Sequence, residues 1–160
     1  MLAAACWAEV LRAQAPDSQK FVWFDPSMAS EIRAIAAQII PDNGTPGAES
    51  AGVIYFIDRA LQGYDTDKQE LYKRGLAQTE QKRAAMFPGS TSIAALASDQ
   101  QIALLKTIDK TDFFQQVRLH TILGFFGQPV GVKFIGMDHQ MHYEPPFGYY
   151  DAEASREGSR

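Results

Sequence analysis

Residues 111–129 read TDFFQQVRLHTILGFFGQP, and this stretch decides the fold. Wound as a helix, it gathers Phe113, Phe114, Val117, His120, Thr121, Gly124 and Phe125 on one continuous arc, with Leu119 and Leu123 on a second, nearly opposite arc. Two apolar arcs predict a helix buried on two sides. Thr111 has the chemistry of an N-cap, and Asp112 stands in the first turn, where the helix dipole favours a carboxylate. Gly127 and Pro129 supply the stop. Gly124 lies inside the helical pattern, where glycine is about 1 kcal/mol worse than alanine. A close-packed neighbour that needs the missing side chain is the simplest reason for it.

Upstream of this helix the same grammar repeats. Asp25 as N-cap and Pro26 at the first helical position open a segment with Met28, Ile32, Ile35, Ala36, Ile39 and Ile40 on one face, ended by Pro41. The stretch PDNGTPGAES has the chemistry of an ordered loop. A second helix follows, with Val53, Ile54, Phe56, Ile57, Ala60 and Leu61 opposed by Tyr55, Asp58 and Arg59, so that Asp58 and Arg59 read as a solvated face. A third runs from about Thr66 to Phe87, with Leu71, Tyr72, Gly75, Leu76 and Met86 on its apolar side, and is closed by Pro88-Gly89. Ser98 with Gln101 has the spacing of a capping box before a short helix carrying Leu104, Leu105 and Ile108.

The sequence therefore predicts an all-α fold, a single helical domain of about five helices over residues 24–129. After Pro129 the chain is rich in aromatics, glycine and proline without a helical period. Residues 130–160 are expected as an extended aromatic-rich C-terminal tail, with a short strand possible at Val132 to Ile135. Residues 1–23 read as an N-terminal arm or a truncated export signal. Ala13-Gln14-Ala15 before Pro16 has the small-x-small form of a cleavage site, whereas Trp7, Val10 and Leu11 would suit a docking arm.

At 160 residues the chain is long enough for one domain with its own core. Its net charge of -4, from 15 Lys+Arg against 19 Asp+Glu, argues against a nucleic-acid partner, which needs a basic face. The single cysteine, Cys6, cannot form an internal disulfide. No apolar run is long enough to cross a bilayer as a helix.

The residue chemistry contains no catalytic constellation, dinucleotide glycine motif or haem attachment motif. His120 reads as a core-edge histidine hydrogen-bonded to a neighbour, since no Ser, Cys or carboxylate stands at a suggestive spacing. Asp138, His139 and His142 form the one cluster with metal-ligand chemistry, and a self-contained metal- or ligand-binding protein using His120, His139 and His142 is the alternative reading. The tail rings Phe147, Tyr149 and Tyr150, together with Phe125 and Phe126, are expected to contribute a partner interface, because adjacent helical residues point about 100° apart and exposed aromatics anchor interfaces.

The ordered set IIPDNGTPGAESAGVIYFIDRAL, FFQQVRLHTILGFFGQP and PPFGYYD resembles the gluconate 2-dehydrogenase subunit 3 family across nearly all of residues 24–151. One departure is visible: after GFFGQP the chain runs directly into Val130, Gly131, Val132 and Lys133, a shorter connection than the family pattern. The resemblance implies a non-catalytic small subunit. In that family an FAD-dependent large subunit oxidises a sugar or polyol, a cytochrome c subunit often carries electrons onward, and the small subunit supports folding and twin-arginine export. It therefore implies no cofactor in this chain, FAD in its partner, and a periplasmic location at the inner membrane through the complex.

Overall fold

The computed structural model describes residues 20–136, and among them all regular structure is helical. Six α-helices follow in order: α1 Pro26–Ile39, α2 Val53–Gln62, α3 Gln69–Met86, α4 Ser98–Lys106, α5 Asp112–Phe126 and α6 Pro129–Phe134, with a 3-10 turn at Thr66–Lys68 before α3.

The predicted start signals for α1 and α5 operate as physical caps. The Asp25 carboxylate accepts from the Met28 amide at 2.8 Å, and the Thr111 hydroxyl accepts from the Phe114 amide at 3.3 Å. The cap of α4 differs from the expected one. Ala97 is its N-cap residue and Gln100, not Gln101, reaches back to accept from the Ala97 amide. Gln101 is turned inward instead, donating to the carbonyls of Ile93 and Leu96 and so holding the loop before α4.

Helix α5 is the hub, packing against α1, α2, α3 and α6. Ile32 and Ile35 of α1, Ile57 and Leu61 of α2, Tyr72 of α3, Leu104 of α4 and Val117 of α5 are completely buried between them. Each such aliphatic side chain contributes about 1.5–3 kcal/mol by leaving water. Two glycines let the helices approach. A Cβ on Gly75 of α3 would lie 2.1 Å from Cγ of Phe113, and one on Gly124 of α5 would lie 2.8 Å from Cδ1 of Phe56. The second observation supplies the close neighbour that the helical glycine implied.

Two further regions depart from the sequence reading. Residues 130–134 continue as helix α6, where an extended tail and a possible strand were expected. Pro129 starts this helix at N1, and Gly131 lets it fold against α5, since a Cβ there would sit 2.1 Å from the Phe125 carbonyl oxygen. Asp58 is not solvated either. It is 1% exposed, and its carboxylate accepts from the amides of Val22, Trp23 and Phe24 at 2.7, 2.9 and 2.8 Å. The segment entering α1 is thereby clamped to α2, and Phe21 stacks on Tyr55 beside it. Arg59 is exposed, as expected.

The connection from α3 to α4 is fastened by charge. Glu80 receives the Arg83 guanidinium at 2.7 Å and the Ile93 amide at 3.3 Å, while Arg83 also donates to the Ser90 carbonyl. Glu31 of α1 accepts from the Ala94 amide at 3.1 Å. Burial pushes the Glu31 carboxyl above its ordinary pKa, and the nearby Glu80 charge adds to the rise.

Candidate partner-docking surface

Buried polar groups decide whether the interior holds chemistry. His120 is 1% exposed on α5, and its Nε2 lies 2.9 Å from the Asp65 carboxylate while Nδ1 lies 2.8 Å from the Tyr72 hydroxyl. Donation from Nε2–H to Asp65 leaves Nδ1 as the acceptor of the Tyr72 O–H. The Gln116 side-chain nitrogen is placed 2.9 Å from the same Nε2, and since two donors cannot bond, that tautomer requires the amide turned over so that its oxygen accepts from the ring. Burial raises the Tyr72 pKa well above the usual phenol value, with the Asp65 charge acting in the same direction, so the hydroxyl stays protonated and donating.

Tyrosine, histidine and aspartate in a row have the residue types of a proton relay. Tyr72 is fully buried, however, so no substrate can reach the inner end of the row. The trio is a polar tie joining the residue that precedes the 3-10 turn to α3 and α5. His120 is thus hydrogen-bonded to neighbours, as its sequence context predicts. The carboxylate arrives through the fold from 55 residues away, which no local spacing could reveal. Among the described residues no buried side-chain polar atom lacks a hydrogen-bond partner, and no group of three or more His, Cys, Asp or Glu is placed to hold a metal ion. Asp138, His139 and His142 lie outside the described residues.

The surface is more informative. The second arc of α5 is not buried. Leu119 and Leu123 are each 48% exposed, Phe126 is 38% exposed, and the three follow one another at i, i+4 and i+7. Beyond the corner, Phe134 and Ile135 are also exposed. Of the two adjacent phenylalanines expected at an interface, Phe125 is placed in the core at 1% exposure, whereas Phe126 lies on the surface. The Phe125 ring meets those of Phe126 and Phe134 edge-on at 5.1 and 6.1 Å, so it supports the exposed rings from beneath. Phe147, Tyr149 and Tyr150 lie outside the described residues.

At the other end of α5 the surface dips into a groove of about 450 Å³ between the end of α1, α4 and the first turns of α5. Ile39, Ile102, Leu105 and Phe114 supply its apolar lining. Gln115, on its rim, is followed one turn later by Leu119, so groove and apolar stripe form one continuous face of α5. The groove was not foreseen from the sequence, because its walls come from three separate segments.

Described residues whose regular structure is all helical, with His120 and Tyr72 buried against each other and a long apolar external face, have the character of a protein-binding subunit. Residues 27–146, well over half of the chain, match the family model described as Gluconate 2-dehydrogenase subunit 3. The chain belongs to that family. Neither the curated proteins nor the solved structures contain a match to it. Among the described residues no helix is long and apolar enough to cross a membrane.

Proposed function

We propose that this chain is the non-catalytic small subunit of a gluconate 2-dehydrogenase-like, FAD-dependent sugar or polyol dehydrogenase complex, supporting folding, export and assembly of the flavoprotein. FAD resides in the partner on this reading, a cytochrome c subunit is a further candidate member, and the complex works in the periplasm at the inner membrane. Family membership supports the subunit role. The observation that carries the docking role is the exposed Leu119, Leu123 and Phe126 stripe on the very helix that organises the core. A stripe on a rigid element presents its side chains already ordered, which lowers the entropy lost on association.

The interior supports an accessory role in a second way. His120 and Tyr72, a pair otherwise suited to moving protons, are spent on each other and closed to solvent. The test is purification of a tagged copy from the native host. Recovery of a stoichiometric FAD-containing dehydrogenase, together with loss of that flavoprotein from the periplasm when this chain is deleted, is the expected result. Recovery of the chain alone, with flavoprotein export unchanged by the deletion, refutes the proposal.

A further inference from the structure

We infer that the groove between α1, α4 and α5 receives an acidic, amphipathic segment of the dehydrogenase subunit, an inference that rests on the subunit role proposed above. Its lining is apolar, with Ile39 and Phe114 half-buried and Ile102 42% exposed. Its rim is basic. Lys106, Lys110 and Arg118 border it against the single carboxylate of Asp109, giving a local excess of two positive charges on a chain whose net charge is -4.

Those three cations are exposed, and among the described residues none of them forms an ion pair. A basic rim around an apolar floor selects a segment with the opposite pattern, apolar residues on one side flanked by Asp or Glu. The groove then fixes position and register, and the Leu119, Leu123 and Phe126 stripe extends the contact along the same helix. Opposite charges at a rim act chiefly on the rate of encounter and its salt dependence, so this contact weakens as ionic strength rises.

The purified two-subunit complex provides the test, with two readouts. In the first, a zero-length carbodiimide joins lysine amines to carboxylates in contact, and mass spectrometry maps the links. Links from Lys106 or Lys110 to Asp or Glu of the dehydrogenase are expected. Links from these lysines only to this chain's own Asp151 or Glu153, or to a second copy of it, would identify another occupant and overturn the inference. In the second, Lys106→Glu, Lys110→Glu and Arg118→Glu are combined. The expected result is association weakened about tenfold or more with the circular dichroism and melting temperature of the isolated chain retained. A triple variant that binds as tightly as the parent overturns the groove while leaving the subunit role standing. Failure of the parent to associate removes both.

Discussion

Tyr72 and His120, 48 residues apart in sequence, share a 2.8 Å hydrogen bond in the centre of the domain. Tyr72→Phe deletes the hydroxyl and leaves Nδ1 of His120 buried without its donor, a loss worth about 1–3 kcal/mol. In a chain of this size that lowers the melting temperature by roughly 2–4 °C per kcal/mol. Thermal denaturation of the isolated chain measures the effect, and a melting temperature equal to the parent's would show the tie to be unimportant.

Asp58 and the three amides it gathers lead to a second expectation. Asp58→Ala frees Val22, Trp23 and Phe24 from α2, and hydrogen bonds to a charged group contribute about 1.5–3 kcal/mol each, so stability should fall by several kcal/mol at most and by less with Asp58→Asn. Amide hydrogen exchange at residues 22–24 should accelerate far more than exchange in α5. Equal acceleration throughout the domain would mean that the carboxylate supports the whole core rather than the clamp.

Two glycine substitutions should behave differently although both lie in helices. Alanine in place of glycine improves helix propensity by about 1 kcal/mol. At Gly75 the new methyl group would meet Cβ and Cγ of Phe113, atoms close to the backbone of a buried residue, and overpacking costs about 1–3 kcal/mol or more. At Gly124 the new methyl group would lie 2.8 and 3.1 Å from Cδ1 and Cγ of half-buried Phe56 and 3.2 Å from Cγ1 of Val53, milder overlaps than at Gly75 that a few tenths of an ångström of side-chain movement relieve. Gly75→Ala should therefore be clearly destabilised in urea unfolding, and Gly124→Ala should stay within about 1 kcal/mol of the parent. The reverse order would place the tighter helix crossing at α5 and α2.

Glu31 gives the domain a pH dependence of a defined sign. Its carboxyl pKa is raised in the folded state, chiefly by burial, so the folded protein binds more protons than the unfolded chain between the ordinary glutamate value and the raised one. That contribution to stability is fully present below the ordinary value and is lost as pH rises through the window above it. Glu31→Gln keeps an oxygen able to accept from Ala94 while removing the titration. Stability measured from pH 4 to 7 should decline less steeply in Glu31→Gln than in the parent. Parallel profiles would show that Glu31 does not contribute to the slope.

Much of this architecture was legible because helix starts, stops and faces are local. Asp25-Pro26, Thr111 and the periodic apolar residues each act within a few positions, and the structure uses them in place. Asp58 shows a signal that was present but misread. It stands with Ile54, Ile57 and Leu61 at the i, i+3, i+4 and i+7 positions of one helical face, so geometry put it on the buried side, while its charge suggested water. Leu119 and Leu123 erred in the other direction, since an apolar residue can equally await a partner, and single-chain periodicity does not say whose surface will cover it. The Asp65 to His120 link and the basic-rimmed groove had no local signal at all, being assembled from distant segments.

The adjacent rings of Phe125 and Phe126 provide the sharpest separation of folding from docking. Their side chains point about 100° apart on α5, which places Phe125 in the core and leaves Phe126 on the apolar stripe. Phe125→Ala empties a buried site and should lose about 3–5 kcal/mol, enough to lower the melting temperature sharply. Phe126→Ala gives up an edge-on ring contact at 5.1 Å and part of its own burial, so its effect on the isolated chain should stay near 1 kcal/mol. If the stripe docks the flavoprotein, Phe126→Ala, alone or with Leu123→Ala, should weaken association at least tenfold, because truncating a central aromatic anchor commonly costs 2 kcal/mol or more. Calorimetry of the isolated chain and binding to the flavoprotein would be measured on the same preparations. A Phe126→Ala, Leu123→Ala variant that folds like the parent and binds with undiminished affinity would remove this face of α5 from the interface.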